Sequence, residues 1–600
     1  MSTAAAALEA LDAGENLRAY DLATSALGEQ PRDVRLAHTA VLALARSGAV
    51  DGAEARFHEL GLDVAAGAAP SAEASSSLQI DLLGLYARIA KDRAVHADGD
   101  ERRRWAAIAA DRYEAASKVA DSGYARVNAA TMALLTGDRE RARAGARAAL
   151  SAARSGADAG VRRSSYWEAA TRAEAHALLG DVGAAAAALG EADALAGDDV
   201  GARSSTRRQL QLLADERAVP ARLLERLPVP GVLAFAGHRL TRDPGAEADL
   251  RDDLDAVLDR HRVGVGYGSL ACGADVLWAE ALLARGATLH IVLPFDPDEF
   301  IETSVRPGGD PWVGRHLAVR EAAASVAVAS DGPYQGHDEL YALATALLLG
   351  RARVHAEATT TAARFGVVWD GKAANGPAGT GTDVARWQRA GGELDVVAPR
   401  GTRVRGGGRP SVGPERVIGA ALFGDFDGFS RVADAAMPSF VNAVLGTVGA
   451  TIDRAGEEVA YRNSWGDGVF VVCRSVSAAA TLALELQASV ARVSTDDLPA
   501  LGLRLAGHAG VIFPLHDPVQ DRTAYWGRSV VTAARIEPRT PRGEVYVTEP
   551  FAALLALDPA VGIAAEYVGH LSTAKGFGDL PMYVLRRRPR VRARGAWSVP

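Results

Sequence analysis

Two aspartates in the last third of the chain stand where strand-like runs reach tight turns. Asp425 follows the apolar run 417–423, and Asp467 precedes Gly468 between two further strand-like runs, an arrangement typical of a β-hairpin. Two carboxylates held at strand ends can share Mg²⁺ or Mn²⁺, ions that favour oxygen ligands and keep positions free for substrate phosphates. The residues alone leave two interpretations open: a metal site for nucleotide chemistry, or two turn aspartates that accept hydrogen bonds from backbone N–H groups.

The surrounding residues follow a longer pattern. In chain order it consists of Phe423-x-Asp425-x-x-Gly428-Phe429-Ser430, Gly466-Asp467-Gly468, His508-x-Gly510, Gly527-x-x-Val530-x-x-Ala533-Ala534-Arg535-x-Glu537 and Lys575-Gly576. In order and spacing, this pattern resembles the class III nucleotidyl cyclase family over residues 415–587. The resemblance implies an enzyme, a phosphorus-oxygen lyase, that converts a nucleoside triphosphate into a 3′,5′-cyclic nucleotide and pyrophosphate.

The resemblance also implies a role for individual residues. Asp425 and Asp467, with the backbone carbonyl of Phe426, would hold two Mg²⁺ or Mn²⁺ ions that activate the ribose 3′-hydroxyl and neutralise the triphosphate. Arg535 would stabilise charge on the α-phosphate, and Lys575 would bind the β- and γ-phosphates. Family members combine the aspartates of one subunit with the Arg and Lys of the other. Because this chain has one such domain, a homodimer is implied.

Several positions depart from the family pattern. Val531 stands where family enzymes usually carry an Asn that stabilises the transition state, and Arg528 and Ser529 in the same segment could replace it. Cyclases that make cyclic AMP carry a Lys at the position aligned with Tyr461, and an Asp or Thr at the position aligned with Ala524. Neither residue here can read adenine in that way.

Tyr461 leaves the choice of base open. A bulky tyrosine favours a single-ring base, which resembles the pyrimidine cyclases of bacterial antiphage signalling (Pycsar), whose products are cyclic UMP or cyclic CMP. Alternatively, the ring is an ordinary strand aromatic packed away from substrate. Three hypotheses follow for the domain: a pyrimidine cyclase, an adenylate cyclase that makes cyclic AMP, and a non-catalytic nucleotide-binding scaffold.

Residues 226–398 alternate strand-like and helical runs, which predicts a Rossmann-like parallel sheet with any ligand at the carboxyl ends of its strands. Its glycine-rich loops resemble those of the SLOG superfamily and imply a sensor for a nucleotide-type ligand, whereas a purely structural role is the alternative. Ala385 replaces the acid of the related phosphoribohydrolase motif, which argues against a nucleotide glycosidase. The predicted ligand residues are Gly237, Arg239, Gly268, Ser269, Gly273, Gly379, Thr380, Gly381 and Thr382.

Residues 1–225 are rich in Ala, Leu, Arg and Glu, with short Gly-Asp or Ser-Gly turns, which predicts an all-helical region. Its irregular copies resemble tetratricopeptide repeats, whose usual period is about 34 residues. Such an array binds a protein partner or supports oligomerisation, and the alternative is an Ala-rich helical spacer.

The elements that must position the two aspartates follow a β-α-β-β-α-β order, which predicts a ferredoxin-like α+β domain over residues 415–587. A Gly- and Arg-rich flexible linker is expected at 399–414, and a basic tail at 588–600. The whole chain is thus expected to be multidomain, with helical repeats, a parallel sheet and a cyclase domain in succession.

Composition limits the remaining classes. The 600 residues carry a net charge of −8, which does not indicate a nucleic-acid-binding surface. Two cysteines far apart in the sequence exclude a disulfide framework and suit a reducing compartment. The N-terminus has no basic and apolar leader pattern, and no run approaches about 18 consecutive apolar residues. We therefore expect a cytoplasmic protein without a membrane partner.

Overall fold

The structure, a computed structural model, describes residues 3–67, 76–119, 122–155, 162–216, 218–374, 376–404 and 413–588. Most of the predicted basic tail and the middle of the predicted linker lie outside these ranges. Within them, a helical region, a parallel sheet covered by helices and a mixed sheet follow one another. The predicted fold class is confirmed.

The first region is a succession of helices in which sequence neighbours pack on each other. Small side chains such as Ala40 and Ala43 are fully buried, so neighbouring helices approach closely. Asp33 starts the third helix by accepting hydrogen bonds from the backbone N–H groups of Arg35 and Leu36. The helices are α1 Thr3–Asp12, α2 Asn16–Glu29, α3 Val34–Ser47, α4 Val50–Glu59, α5 Leu62–Gly67, α6 Ser76–His96, α7 Gly99–Val119, α8 Gly123–Leu135, α9 Arg139–Ser155, α10 Arg162–Leu179, α11 Val182–Ala196 and α12 Val200–Asp215.

The second region is a six-stranded, all-parallel sheet of order β4-β3-β2-β1-β5-β6. The strand-like runs of the sequence at 232–235, 264–266, 288–294, 325–329 and 365–369 form five of its strands, whereas the sixth, β6, was not predicted because it mixes acidic and apolar residues. The strands are β1 Gly231–Gly237, β2 Val263–Gly268, β3 Thr288–Leu293, β4 Ser325–Val328, β5 Ala363–Val368 and β6 Glu393–Val397. The helices are α13 Pro244–Arg260, α14 Ala274–Ala284, α15 Pro297–Phe300, α16 Asp310–Ala322, α17 Glu339–Ala358 and α18 Thr380–Arg389.

The third region begins with the predicted β-α-β-β-α-β order, and its first four strands lie in the order β10-β7-β9-β8 of a ferredoxin-like sheet. Three further strands, β12, β14 and β13, extend the sheet beyond β10, and β11 pairs with β10 alone. The strands are β7 Val417–Asp427, β8 Val459–Trp465, β9 Gly468–Cys473, β10 Gly502–Asp517, β11 Arg522–Trp526, β12 Val545–Thr548, β13 Ile563–Ser572 and β14 Asp579–Arg587. The helices are α19 Met437–Ser439, α20 Gly446–Ala455, α21 Val476–Val490, α22 Arg528–Ile536 and α23 Glu549–Leu555.

The helical stretch Asp434–Glu458, which contains α19 and α20, is long and apolar enough by length and composition to cross a membrane. Its mean hydropathy of 1.4 is an average over 18 residues, some of which are polar. The expectation from the sequence concerned consecutive apolar residues, and this stretch contains no long run of them. Phe440, Val444 and Val448 of this stretch pack into the core beneath the sheet. A buried core helix can have the same length and apolar composition as a membrane-spanning helix.

The three regions contact one another. The hydroxyl of Tyr567 on β13 donates to Asp21 on α2 at 2.7 Å. Arg351 on α17 pairs with Glu549 on α23 at 2.6 Å. The first region and α17 therefore both press on the β13, β14 and α23 side of the mixed sheet.

Residues at the start of the predicted linker pack against the parallel-sheet region. Arg400 pairs with Asp253 at 2.8 Å, and Arg403 pairs with Asp370 at 2.7 Å. The backbone N–H of Thr241 donates to the carbonyl of Thr402. The described part of this segment is thus tied down by side-chain and backbone contacts.

Candidate active site

The structure brings Asp425 and Asp467 together. β7 pairs with β9 up to the register pair Gly424 and Val469, so that Asp425 lies on β7 just beyond this paired stretch and Asp467 lies in the turn between β8 and β9. Their carboxyl groups lie close enough for the charge of Asp425 to act on Asp467. Burial raises the pKa of Asp467 above its usual value, and the adjoining Asp425 carboxylate raises it further.

This pair fits a hard divalent cation. Two carboxylates in contact repel each other when both are ionised, and a cation between them removes that repulsion. In the described part of the chain, no group of three or more His, Cys, Asp and Glu side chains is arranged for a metal. A site with two protein carboxylates leaves coordination positions for substrate phosphate oxygens, as Mg²⁺ sites of nucleotide enzymes do.

An arginine that the sequence interpretation did not include also contacts this pair. Arg504 on β10 is the direct register partner of Asp425, and its Nη2 donates to Asp425 Oδ2 at 2.6 Å. The Nε of Arg504 lies 3.1 Å from Glu537 Oε1, just beyond α22. Burial raises the pKa of Glu537 to about 7. Only strand register could have revealed the contact between Arg504 and Asp425, because 79 residues separate them.

The two predicted phosphate-binding cations have no partner inside the described protein. Arg535 lies in the last turn of α22, half-buried, and Lys575 lies exposed in the loop between β13 and β14. Neither makes a hydrogen bond or an ion pair with a described residue, Asp425 and Asp467 included. The chain thus presents two cations whose charges are not neutralised from within.

The segment that departs from the family pattern starts α22. Val531 is 41% exposed and supplies no donor. Ser529 is buried, and its hydroxyl donates to the backbone carbonyl of Val511 at 2.9 Å, so this donor is engaged within the fold. Arg528 pairs with Asp331 of the parallel-sheet region at 2.7 Å, and its guanidinium lies over the ring of Phe577.

Tyr461 and Ala524 share one apolar cluster on the sheet. The Tyr461 ring is 8% exposed and packs against Phe470 and Tyr525, at centroid distances of 5.4 and 5.9 Å. Its hydroxyl donates to Gln520 Oε1 at 3.3 Å. Neighbouring aromatic side chains therefore hold the Tyr461 ring, and its hydroxyl group contacts the polar side chain of Gln520.

Asn463 is a residue of this surface that the sequence interpretation missed. It lies two positions beyond Tyr461 on β8, hence on the same face and nearer the hairpin turn with Asp467. The guanidinium of Arg522 donates to Asn463 Oδ1 at 3.2 Å and lies over the Tyr461 ring. The two-residue period of a strand was the signal that could have identified Asn463.

In the parallel-sheet region, the predicted ligand residues gather at the carboxyl ends of β1, β2 and β5. Gly237 ends β1 and Arg239 follows it, Gly268 ends β2, Gly273 precedes α14, and Gly379–Thr382 begins α18. Arg239 donates to the backbone carbonyl of Thr303 at 3.1 Å and has no carboxylate partner within ion-pair distance among the described residues. Gly273 has φ 91°, and a Cβ there would lie 2.3 Å from the backbone nitrogen of Leu240, so packing alone requires a glycine.

Two buried acids of this region were also missed. Asp275 in the first turn of α14 accepts a hydrogen bond from the backbone N–H of Ala271, and Asp383 lies in the first turn of α18. Burial raises the pKa of each to about 7. Asp383 stands two positions before Ala385, where the sequence interpretation looked for an acid.

Comparison with known proteins identifies two parts of the chain. Residues 6–133 match the family model Tetratricopeptide Repeats-Sensor, and residues 419–587 match the model Adenylate and Guanylate cyclase catalytic domain. No curated protein matches the chain. The C-terminal region is therefore the catalytic domain of a class III nucleotidyl cyclase, and the chain is an enzyme. The N-terminal region carries tetratricopeptide-type repeats.

Solved cyclase structures are similar to part of this chain. The guanylate cyclase domain of RhGC from Catenaria anguillulae, in complex with GTP, is 18% identical over 29% of this chain and 100% of its own, with a TM-score of 0.26. An adenylate cyclase structure from Trypanosoma brucei is 20% identical over 29% of this chain and 91% of its own, with a TM-score of 0.26. The adenylyl cyclase CyaB from P. aeruginosa is 16% identical over 30% of this chain and 98% of its own, with a TM-score of 0.25.

Proposed function

We propose that this protein cyclises a nucleoside triphosphate to a 3′,5′-cyclic nucleotide with release of pyrophosphate, as part of intracellular signalling. The observation that carries the proposal is the proximity of two carboxyl groups, that of Asp425 near the end of β7 and that of Asp467 in the turn between β8 and β9. Asp425, Asp467 and the backbone carbonyl of Phe426 would hold Mg²⁺ or Mn²⁺. When bound, these ions supply Lewis-acid stabilisation of the reacting oxygens.

The two free cations complete the proposed site. Arg535 would bind the α-phosphate as charge develops there, and Lys575 would bind the β- and γ-phosphates, so that the leaving pyrophosphate is held. Neither forms an ion pair with Asp425 or Asp467 of its own subunit, which supports a homodimer in which each site combines both subunits.

A mixing experiment tests this dimer. Asp425→Asn and Arg535→Ala should each be inactive alone. Mixed and allowed to exchange subunits, they should recover up to about a quarter of the wild-type rate, because half of the dimers then carry one intact site of two. Size-exclusion chromatography confirms that the variants dimerise. No recovery from exchanged dimers would contradict a shared site.

A pyrimidine product, cyclic UMP or cyclic CMP, is the product we propose, and with it an antiphage signalling role in the cytoplasm. Tyr461 and Ala524 supply neither the Lys nor the acidic residue of an adenine reader, and the Tyr461 ring fills space beside Tyr525. The two cysteines are free and buried, which suits a reducing compartment.

The substrate experiment incubates the purified protein with Mn²⁺ and ATP, GTP, CTP or UTP separately, with mass detection of the cyclic product. Cyclic UMP or cyclic CMP is expected. Cyclic AMP alone would retain the cyclase and refute the proposed base choice. Asp425→Ala serves as the control, since it should abolish turnover.

A non-catalytic nucleotide-binding scaffold is the second candidate, favoured by the exposed, donor-free Val531. This candidate predicts nucleotide binding without product from any of the four triphosphates, and an intact assembly in Asp425→Ala. Detection of any metal-dependent cyclic product that Asp425→Ala lacks would exclude it.

We further propose that the two regions that precede the cyclase domain in the chain, here called the front regions, regulate the cyclase. A nucleotide-type ligand would bind at the glycine loops of the parallel sheet, and a protein partner would bind the helical repeats. Asp331 reaches Arg528 at the start of α22, and Asp21 reaches Tyr567 on the strand that leads to the Lys575 loop. Both contacts connect a front region to a segment that carries proposed substrate-binding residues.

A further inference from the structure

The edge strand β4 of the parallel sheet is exposed to solvent. Among the described strands, β4 pairs with β3 alone. Val326 and Val328 are 40% and 39% exposed, and the strand Ser325–Val328 contains no charged residue and no proline. Proteins usually protect an edge strand with charges, prolines or bulges, because its free backbone groups can pair with another chain. β4 has none of these protections.

The opposite edge of the same sheet is protected. β6 carries Glu393 and Asp395, and the guanidinium of Arg364 on β5 donates to both carboxylates. Charged groups on an edge strand oppose the docking of a further strand, because docking would remove them from water. Of the two edges, β4 is therefore the one whose composition is typical of a strand that is covered in the assembled protein.

The backbone of β4 has groups available for a further strand. The N–H of Ala324 donates to the carbonyl of Leu289, so Val326, two residues further on, also directs its backbone groups towards β3. Ser325 and Ala327 alternate with them and direct their N–H and C=O groups away from the sheet. These groups are the ones that a neighbouring strand would bind.

A groove beside β4 carries charges of both signs. Val326 and Leu317 of α16 are its apolar part, and Asp298, Arg320 and Glu321 lie around them. None of these three charged side chains forms an ion pair with a described residue. A two-fold axis would set Arg320 of one copy against the acids of the other, so this surface is complementary to itself in charge.

β4 also lies next to the part of the cyclase domain that the proposed dimer uses. Asp331, three residues beyond β4, pairs with Arg528 at the start of α22 at 2.7 Å. The same helix carries Arg535, which the proposed homodimer directs at the aspartates of the other subunit. The β4 edge is thus continuous with the surface on which a second copy of the chain is expected.

From these observations we propose that β4 is a second dimer contact, in which two copies of the chain pair their β4 strands antiparallel about a two-fold axis. Ser325 of each copy then bonds the partner's Ala327, and Val326 stands opposite its own counterpart at the axis. Four residues of strand bury too little area to hold a dimer alone, so the contact acts together with the cyclase domains. The inference rests on the proposed cyclase homodimer.

Val326→Cys tests the pairing directly. Directly opposed residues of this kind have Cα atoms about 4.5 Å apart, which is within the range that a disulfide spans. Mild oxidation of the full chain should therefore give a covalent dimer on a non-reducing gel, and both natural cysteines are buried. Val396→Cys is the matched control, because Val396 is a 53% exposed valine on the opposite edge strand, and it should give no covalent dimer.

Val326→Lys tests the contribution of the contact to dimer affinity. A lysine on the edge opposes strand pairing, so the dissociation constant of the full-length dimer should rise about tenfold. Sedimentation equilibrium measures this constant, and circular dichroism checks that the variant is folded. Val396→Lys places the same charge on β6 and should leave the constant unchanged.

The outcomes separate this contact from the cyclase homodimer. If the wild type is a dimer and Val326→Cys gives no more covalent dimer than Val396→Cys, the β4 contact is refuted and the cyclase homodimer is retained. An unchanged dissociation constant in folded Val326→Lys would refute the contact equally well. A wild type that stays monomeric at all concentrations would overturn both the contact and the proposed homodimer.

Discussion

At the residue scale, the catalytic domain combines groups that are typical of its class with one position that is not. Asp425 and Asp467 lie close together, and Arg535 and Lys575 form no hydrogen bond or ion pair with any residue that the structure describes. Val531, by contrast, exposes an apolar side chain at the start of α22, where family enzymes carry a donor. The rate of this enzyme should therefore be limited by a missing transition-state hydrogen bond.

Val531→Asn tests that limitation. An amide at this position restores a donor, and preorganised donors of this kind are worth about 100-fold in rate when removed from well-adapted sites. We expect kcat to rise about tenfold with little change in KM, because the added bond forms in the transition state. Steady-state kinetics with the preferred triphosphate measure it.

The control for this substitution is Val519→Asn. Val519 is 92% exposed in the turn between β10 and β11, so the same chemical change there should leave the rate unaltered. A rate that does not rise in Val531→Asn, with Mn²⁺ saturating, would mean that another group already supplies the donor.

At the element scale, two buried aspartates of the parallel-sheet region lie in the first turns of their helices. Asp383 in the first turn of α18 is 4% exposed, and Asp275 has the same place in α14. Their carboxyl groups are buried at the carboxyl ends of the strands, where their ionisation is opposed by loss of water. Such groups couple the stability of these helices to pH.

The pH dependence of unfolding follows from Asp383, whose pKa burial raises to about 7. An Asp in the unfolded chain has a pKa of about 3.9, so between this pH and about pH 7 Asp383 is protonated in the folded protein and ionised in the unfolded chain. Stability therefore falls as pH rises from about 4 to about 7, and the full penalty is present above that range. Asp383→Asn removes this titrating group. Between about pH 4 and pH 7, its free energy of unfolding should therefore decrease less steeply with pH than that of the wild type, by about 1 kcal/mol per pH unit.

Thermal unfolding of the metal-free protein at a series of pH values measures this effect. Asp252→Asn is the control, since Asp252 is an exposed residue of α13. The control should retain the wild-type pH dependence of the midpoint. An identical dependence in Asp383→Asn would show that Asp383 is ionised in the folded protein.

At the scale of the whole molecule, both front regions touch the catalytic domain. Asp331 of the parallel-sheet region pairs with Arg528, which in turn covers Phe577 beside the Lys575 loop. On another side, α17 meets α23 so closely that a Cβ at Gly350 would lie 2.0 Å from the carbonyl oxygen of Ala553. The parallel sheet is thus packed against the cyclase at two places.

Asp331→Asn should alter catalysis through the first of these contacts. It leaves the active-site residues intact and removes the charge that holds Arg528, so the Lys575 loop loses an ordered neighbour. We expect KM for the triphosphate to change about threefold, the scale of one exposed ion pair. Kinetics of the full chain measure the change.

Asp310→Asn is the matched control, because Asp310 forms a surface ion pair with Arg306 within the parallel-sheet region. It should not alter KM. If Asp331→Asn also leaves KM and kcat unchanged, Asp331 does not transmit regulation to the active site, and control by the front regions would need another contact.

The sequence alone determined the order of the three regions and the type of each. Period and composition indicated helices, a parallel sheet and a β-α-β-β-α-β domain, and the spacing of Asp425, Asp467, Arg535 and Lys575 identified the cyclase class, because such patterns are local to strands, turns and helices. Strand β6 was not predicted, because an edge strand of mixed polarity has no distinct hydrophobic pattern.

Only the tertiary structure decided which distant side chains meet. Strand register places Arg504 opposite Asp425, and region packing places Asp331 beside Arg528 and Asp21 beside Tyr567. It also showed that Ser529 is already bonded within the fold. Contacts of this kind depend on register and on the docking of separate regions, which no linear pattern of residue types encodes.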